Sequence, residues 1–445
     1  MTRLLVTPAF VGVLMAASAV TVDAAAAELL PTTSETVYFR GWQYRTDVVQ
    51  ENIQRYNEAL NGNVDYATVT GDYPTLMETM LIAGESLDII YANPSSAVRY
   101  YEGGWLLPAS ELPNAEEIEA DMFPNIREAW THKGNLLGLS YFVTTRGVIH
   151  VNTEKYAAAG KSEADYPESW DQLVDQVLAL SEAGVETPFL PHWFNEFHGI
   201  SWGFLFEVMN RGGQVADPET HRPTLATTEG AGFETLSDWK RLWNAKIVPE
   251  EVLTMNEAAY LKAFSSGRYV FSPQQAYDLA TFNDPEHSQI AGKVSFLPLD
   301  GQSWGMIDSA MYVMTKRKRS EGLTEDVKRM ISWYGYKDHE GAVAVGSRWL
   351  REAMLFSAYK SVMNGPEAEE KIKSALINPE NYRKLLDLYA ASPYPKGVWN
   401  VAWSEEFNSW LRDHLQNFLL KDLPVADAID AINARIVSLN RKYGI

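Results

Sequence analysis

Polar and aromatic side chains follow three predicted strands of this chain, at the point where each strand ends. In chain order they are Gln43, Tyr44, Arg45, Asp72, Asn93, Ser95 and Ser96. Where strands run parallel, small ligands bind beyond the carboxyl ends of the strands. Amides, carboxylates and hydroxyls can bond to ligand hydroxyl groups, and an aromatic face can cover the C–H side of a sugar ring. These residue types therefore predict a site for a carbohydrate or polyol.

The fourteen tryptophans are a second source of candidate contacts. A tryptophan is more often part of a core than of a binding site, and we expect this of most of them. Four are predicted exceptions because they stand beside glycine or polar residues, for the most part in predicted loops. They are Trp193, Trp202, Trp304 and Trp349.

An extended run at Tyr141–Val151 is apolar at both ends and polar at its centre, where Thr145 stands. Such a pattern suits a strand that passes between two globular lobes, with its ends in separate cores and its centre facing a cleft. A second crossing is predicted at Ser309–Thr315, and Asp308 lies beside it. Asp308 is either a ligand contact that bridges two hydroxyls or a cap at a hinge.

Four arginines leave two possibilities for the ligand, which is either neutral or anionic. Arg45, Arg146, Arg348 and Arg351 are each able to bind a carboxylate, phosphate or sulfonate with two hydrogen bonds. The alternative is that each pairs with a carboxylate of the chain itself, which has 58 acidic residues. An anionic solute, such as a sugar acid, a sulfonated sugar or glycerol phosphate, therefore stays an alternative to a neutral carbohydrate.

The alternative to a binding protein is an enzyme. Glycosidases use two carboxylates, but Asp72, Glu196 and Asp308 lie in no recognisable catalytic motif. His192, Glu196 and His198 lack the spacing of the HExxH metal motif. A secreted carbohydrate-active enzyme is kept as an alternative, and we predict no catalytic residue, no cofactor and no metal.

An alternation of strands and helices positions these residues. The hydrophobic spacing predicts strands at Val37–Trp42, Val64–Thr70 and Leu87–Tyr91, with helices at Thr46–Asn61 and Tyr73–Ala83 between them. This order favours parallel strands with helices on both faces. Further helices are predicted at Ser169–Ser181, Trp202–Asn210, Thr228–Trp243, Glu405–Leu420 and Val425–Tyr443. The charged run Lys316–Arg319 is predicted to be a solvated loop.

Several motifs occur here in an order typical of one family. Gly71–Asn93 matches the pattern GDYxTLxxxxxAGxxxDIIxxN, and Lys133–Trp170 matches a glycine–tyrosine crossing, an asparagine before a short helix and a Pro-x-Ser-Trp helix start. The chain thus resembles the family-1 extracellular solute-binding proteins of ABC importers, of the maltose-binding-protein-like, carbohydrate-binding type. The resemblance covers nearly the whole chain after its N-terminal segment.

The resemblance implies an α/β fold of two lobes, each a mixed, mostly parallel sheet flanked by helices, joined by hinge crossings. It implies ligand contacts after the first and third strands and at the crossing. Gln275 and Tyr277 follow a segment where the family often has a cleft-facing aromatic residue. Arg348 and Trp349 lie on a loop that faces the cleft in the family, although the family's proline is missing here. The implied function is capture of a carbohydrate in the interlobe cleft and delivery to permease subunits.

The N-terminal segment predicts export. A basic start, an apolar stretch at Leu4–Val20 and small residues at Ala24–Ala27 are typical of a signal peptide, residues 1–27. With no cysteine, the chain has no disulfide and no lipid anchor. The net charge of -20 argues against nucleic acid as a partner. We expect a periplasmic monomer that binds a small molecule.

The length favours two domains, because single cores rarely grow beyond roughly 250–300 residues. The N-terminal lobe is predicted to comprise residues 28–145 and 310–360. The C-terminal lobe is predicted to comprise residues 146–309 and 361–445.

Overall fold

The computed structural model describes residues 33–445, so the predicted signal peptide lies outside the described residues. The fold is mixed α/β. Its strands are β1 (Val37–Gly41), β2 (Val64–Thr68), β3 (Ile89–Ala92), β4 (Leu106–Leu107), β5 (Thr131–His132), β6 (Asn135–Leu136), β7 (Leu139–Asn152), β8 (Phe271–Gln275), β9 (Val294–Phe296) and β10 (Met306–Thr315).

The helices surround these strands. The first ten are α1 (Thr46–Leu60), α2 (Tyr73–Ala83), α3 (Pro94–Glu102), α4 (Ala115–Asp121), α5 (Pro124–Trp130), α6 (Thr153–Ala158), α7 (Trp170–Glu182), α8 (Ile200–Asn210), α9 (Ala231–Asn244) and α10 (Glu257–Ser265). The others are α11 (Asp278–Phe282), α12 (Glu321–Gly335), α13 (Ala344–Ala353), α14 (Lys360–Met363), α15 (Pro366–Ala375), α16 (Tyr382–Ala391), α17 (Lys396–Trp399), α18 (Ser404–Leu420) and α19 (Val425–Tyr443). Short 3₁₀ turns lie at Ala109–Glu111, Glu163–Asp165, Glu250–Thr254 and Pro379–Asn381.

The main sheet runs in the order β2-β1-β3-β10-β7-β8, with β4 added to β10 and β9 added to β7. As the strand–helix alternation predicts, β1 pairs in parallel with both β2 and β3. The pairings that involve β7 and β10 are antiparallel. These two long strands lie at the centre of the sheet and connect β1–β3 on one side to β8 and β9 on the other.

Local sequence explains how the N-terminal sheet presents polar groups at its carboxyl edge. Asp72 and Asn93 are N-caps, and each accepts a hydrogen bond from the backbone N–H three residues on. A proline stands in the first turn of each helix that follows, where its missing N–H costs nothing. These caps fix the start of α2 and of α3 directly after β2 and β3.

The crossing of β7 and β10 has a defined register. Met306 lies opposite Arg146, and Asp308 lies opposite Thr144. The pairing shifts between Ala310 and Met311 on one side and at Gly147 on the other, as β-bulges do. The first shift is in the pairing of β7 with β10 and the second in the pairing of β7 with β8, so the polar centre of β7 is flanked by an irregularity on each side.

Helix α8 forms the centre of the C-terminal lobe, and it is buried continuously from Ile200 to Val208. It contacts α9 and α18, and α19 packs against both of these. Between the lobes, α15 contacts α11 and α13, while α16 contacts α5 and β7. This segment therefore touches elements of both predicted lobes, and the exact lobe boundaries stay a prediction.

The charged run after β10 differs from the predicted solvated loop. Arg317 and Arg319 turn inward and bond to Asp88, which is fully buried. Asp88 also accepts the backbone N–H of Tyr38. A buried carboxylate requires opposite charge, and only Lys316 and Lys318 of the run remain exposed. Among residues 33–445, no helix is long and apolar enough to cross a membrane.

Close backbone contact at the crossing generates a stability prediction. A Cβ on Gly305 would lie 1.9 Å from the carbonyl oxygen of Arg146, so Gly305→Ala must displace one strand. We expect the free energy of unfolding to fall by about 1–3 kcal/mol, as for other overpacked sites. The control is Gly346→Ala in α13, where the nearest atom would be a valine methyl at 3.2 Å. Urea unfolding that shows equal stability for both variants would contradict this prediction.

Candidate functional site

The candidate site lies where the crossing strands meet the ends of α3, α8 and α17. A small cavity there is lined by Asn93, Pro94, Ser95, Trp202, Ile307, Asp308, Ser309 and Trp399. These residues come from both lobes and from the crossing. The cavity has a volume of about 10 Å³, which is room for roughly one water molecule. A sugar-sized ligand therefore requires the lobes to separate.

A buried guanidinium lies behind two residues that line this cavity, Asp308 and Trp202. The Nε of Arg146, in β7, donates to Asp308 of β10 at 2.9 Å, and its Nη1 donates to Glu257 of α10 at 2.8 Å. Its guanidinium carbon lies 5.5 Å from the ring centroid of Trp202. Only 4% of Arg146 is exposed. One side chain thus joins both crossing strands to a helix of the C-terminal lobe.

The charges in this network hold each other in the ionised form. Burial by itself would lower the pKa of Arg146, but the carboxylates of Glu257 and Asp308 outweigh it and raise that pKa. Burial would raise the pKa of Glu257, but the charge of Arg146 and the hydrogen bond with His198 outweigh it. They hold the pKa of Glu257 well below its usual range. The network is therefore a compensated ion pair, and its guanidinium is not free for a ligand anion.

His198 extends the network toward the surface. Its Nε2 lies 3.1 Å from Glu257 and 3.5 Å from Glu196. The ligand atoms of these three side chains lie within 4.8 Å of one another, a spacing that a metal ion would accept. Arg146 already occupies the other oxygen of Glu257, and its positive charge opposes a second cation. His192 is not part of the group, because it is buried and its Nε2 lies 2.9 Å from the carbonyl oxygen of His198.

Three aromatic residues form the apolar side of the site. The rings of Trp202 and Trp399 are 4.6 Å apart, and Tyr394 meets Trp399 edge-on at 5.3 Å. Within residues 33–445, neither the Trp202 Nε1 nor the Tyr394 hydroxyl has a hydrogen-bond partner, although both atoms are buried. Such groups are costly to leave unpaired, and ligand hydroxyls would satisfy them. Sequence reasoning missed Trp399 and Tyr394, although the criterion that selected Trp304, a tryptophan near glycine in a loop, also selects Trp399.

Glu405 is the contact that closes the site from the C-terminal lobe. Its Oε1 accepts a hydrogen bond from the Ser95 hydroxyl at 3.3 Å. Asn93 accepts the backbone N–H of Ser96 at 2.9 Å and lies 3.1 Å from the Ser95 hydroxyl. Sequence reasoning missed Glu405 because no motif marks it, and 310 positions separate it from Ser95.

Another predicted residue joins the Arg146 network. Gln275 is buried, and its Nε2 donates to Glu257 at 3.3 Å while its Oε1 has no partner among the described residues. Burial raises the pKa of Tyr277, and the charge of Asp278 adds to this. Thr145 is buried, and its hydroxyl lies 2.7 Å from that of Ser392.

The predicted residues after β1 form a separate group in the N-terminal lobe. Gln43 is exposed, and Tyr44 stacks on Trp349 with ring centroids 6.2 Å apart. Arg45 pairs with Asp47 and Glu352, and Arg348 pairs with Glu51 and Glu352. Trp349 is buried and donates its Nε1 to the Tyr312 hydroxyl at 3.0 Å. Asp72 is exposed and caps α2. That these residues contact a ligand stays a prediction.

Trp193 and Trp304 lie in loops, as predicted, but both side chains point into the core. Trp193 is fully buried and packs against Trp239 at 4.9 Å. Trp304 is also buried, and its Nε1 donates to the Leu297 carbonyl at 2.9 Å. Neighbouring polar residues suggested exposure, but the large rings gain more from burial in the core. We therefore leave both out of the candidate site.

Comparison with known proteins agrees with this architecture. Residues 42–335 match the family described as bacterial extracellular solute-binding protein, and the chain belongs to this family. The predicted family resemblance is thereby confirmed.

Solved structures show the same two-lobe fold. The maltose-bound MalE3 of T. maritima has a TM-score of 0.69 at 20% identity, over 91% of this chain and 99% of the other. An ABC transporter solute-binding protein of Agrobacterium radiobacter, in complex with ribitol, has a TM-score of 0.69 at 14% identity, over 92% and 100%. The cyclic alpha-maltosyl-1,6-maltose binding protein of Arthrobacter globiformis has a TM-score of 0.71 at 15% identity, over 90% and 98%. The predicted fold class is confirmed.

The Arg146 network generates the second prediction. Arg146→Met would leave the carboxylates of Asp308 and Glu257 without their cation, so we expect the free energy of unfolding to fall by about 3–5 kcal/mol. The control is Arg351→Met, whose partner Glu367 lies at the surface and whose loss should cost less than about 1 kcal/mol. Adding Glu257→Gln to Arg146→Met should restore part of the loss in urea unfolding. No recovery, or equal losses in both single variants, would contradict this account.

A third prediction concerns pH. Burial raises the pKa of Asp278 to about 8, and the charge of Glu257 adds to this. In the unfolded chain an aspartate has a pKa of roughly 4, so between about pH 4 and pH 8 only the folded protein keeps this proton. Raising the pH through this window therefore lowers stability.

We expect Asp278→Asn to weaken this decline in melting temperature, because its amide oxygen can still accept the N–H of Gln275 and cannot ionise. Burial likewise raises the pKa of Glu207 to about 8, so part of the decline will remain. The control is Asp387→Asn at an exposed position of α16. An unchanged pH profile for Asp278→Asn would count against this prediction.

Proposed function

We propose that this protein is the periplasmic substrate-binding component of an ABC importer and that it captures a carbohydrate or polyol between its lobes. The observation that carries the proposal is the interlobe cavity, where Trp202 and Trp399 meet polar groups of both lobes. Aromatic faces and hydroxyl-binding groups are what a sugar ring requires. Family membership and the fold of sugar- and polyol-binding neighbours support the same reading.

The pairing of the arginines favours a ligand without negative charge. Arg45, Arg146, Arg348 and Arg351 all bond to carboxylates of the chain. An anionic ligand would have to displace these partners or meet their negative charge at close range. An anionic solute is therefore the weaker candidate.

Turnover is not part of the proposal. A glycosidase needs an acid that holds a proton and a second carboxylate that is free to react. In the Arg146 network, Asp308 and Glu257 are both bound to the guanidinium, and the pKa of Glu257 is lowered rather than raised. A protein that releases its ligand unchanged fits this arrangement.

The delivery steps belong to the same proposal. The protein is exported through a cleaved signal peptide, acts as a monomer and presents its closed form to the permease subunits. Closure is a rotation of the lobes about β7 and β10, at Thr144–Gly147 and Asp308–Ala310. The closed form has the higher affinity because the ligand then touches both lobes.

The fourth prediction tests capture and closure together. A thermal-shift screen with maltose, glucose, ribitol, mannitol, glucuronate and glycerol phosphate should show stabilisation by neutral sugars or polyols and little by the acids. A ligand at 100 times its Kd stabilises by about 2.7 kcal/mol. Small-angle scattering with the best ligand should show a smaller radius of gyration than without ligand.

Stabilisation by glucuronate or glycerol phosphate, with none by the neutral sugars and polyols, would favour the anionic alternative. Chemical conversion of the bound sugar, followed by chromatography, would favour an enzyme. A scattering curve that does not change on saturation would contradict hinge closure.

A further inference from the structure

The carboxylate of Glu405 lies between the lobes without a cation. It stands at the start of α18, and its Oε1 meets Ser95 of α3 at 3.3 Å. Within residues 33–445, no Lys, Arg or His forms an ion pair with it, whereas the next residue, Glu406, pairs with Arg435 at 2.8 Å and Lys442 at 2.7 Å. A partly buried carboxylate without a cation is costly unless a partner arrives.

The surroundings of Glu405 are negative. Arg99 is the cation whose charge acts on Glu405, but Arg99 is bound to Glu78 at 2.6 Å, and this carboxylate compensates its charge. The charge of Asp72 adds to the negative potential at Glu405. On the crossing side, the single charge of Arg146 faces both Asp308 and Glu257. Around the site, the carboxylates of Glu405, Asp308 and Glu257 are thus balanced by the single guanidinium of Arg146, which leaves a net negative charge.

The aromatic side of the site adds surface that attracts cations. Trp399 lines the same cavity as Ser95, the residue that bonds to Glu405, and Tyr394 packs against Trp399. Trp399 lies between Tyr394 and Trp202, and the Arg146 guanidinium already occupies the Trp202 ring. In the described chain, no Lys or Arg lies over Trp399 or Tyr394. Aromatic faces beside a carboxylate favour an ammonium group.

A donor without a partner also points to a ligand with hydroxyls. Trp202 lines the cavity and is only 7% exposed, and its Nε1 has no acceptor within residues 33–445. A hydroxyl oxygen would satisfy it. A ligand that fits this site therefore has a hydroxyl group near Trp202, on the crossing side, and a positive charge near Glu405, at the start of α18.

We propose that the ligand carries a protonated amine as well as hydroxyl groups, as an amino sugar does, and that the Glu405 carboxylate accepts the ammonium group. The inference rests on the proposed function and narrows its substrate class. It assigns Glu405 the role of selecting aminated over neutral sugars.

Matched sugars test this by titration calorimetry. The probes are glucosamine against glucose, galactosamine against galactose, and the N-acetylated forms, which lack the positive charge. We expect the amino sugar to bind at least about tenfold more tightly than its neutral parent, since a hydrogen bond to a charged group contributes more than a neutral one. Its affinity should fall as salt is added, because salt screens the pairing.

Two variants locate the effect. Glu405→Gln should abolish the preference for the amine, so that the amino sugar and its neutral parent bind with affinities within about threefold of each other. The matched control is Glu406→Gln, which changes the charge of the same helix by the same amount away from the cleft and should keep the preference. If Glu405→Gln proves unstable by its melting temperature, the salt dependence of the unmodified protein decides the question.

The outcomes separate the two proposals. Neutral parents that bind as tightly as amino sugars, a preference that survives in a folded Glu405→Gln protein, or an affinity that is independent of salt would overturn this inference and leave the proposed function intact. If neither neutral nor amino sugars nor polyols bind, the proposed function itself fails.

Discussion

A guanidinium held inside the crossing is the constraint on which the rest of the site depends. Arg146 is buried in β7, and such a charge is tolerated only with compensation on every side. Asp308 must therefore stand on the neighbouring strand, and Glu257 must begin α10 within reach. Trp202 then covers the guanidinium face and separates it from Trp399. The same pairing that stabilises the crossing removes this arginine from anion binding.

Much of the fold was predictable because local rules control it. The helix predicted at Tyr73–Ala83, with proline in its first turn and glycine after its end, has these bounds in the structure. The helix that begins at Pro94 was not predicted, although Asn93 and Pro94 are also typical of a helix start. The polar centre of Tyr141–Val151 likewise identified the crossing, because a strand with two apolar ends must enter two cores. In such places the chemistry of a few adjacent residues decides the structure.

The site was less predictable because its contacts join distant parts of the chain. Asn93, Ser95, Trp202 and Asp308 were identified, and they line one cavity. Glu405 escaped notice because nothing in its own neighbourhood indicates that Ser95 lies opposite. Arg319 was expected in solvent, since a run of cations does not show that a buried Asp88 lies nearby. The sequence also could not show which tryptophans are buried, because a neighbouring glycine does not reveal whether Trp304 points outward or into the core.

The order of the site residues along the chain has a consequence for biosynthesis. Residues on α3, α8, β10, α17 and α18 must all be present before the cavity exists, and Glu405 comes late in the chain. A polypeptide that is still being synthesised, or is threading through a membrane, therefore has aromatic and acidic pieces of the cleft but no cleft. Under the proposed export, a ligand on the near side of the membrane finds no complete site on a chain that is still incomplete or in transit. Under the same proposal, the binding energy becomes available only when nearly the whole chain has folded.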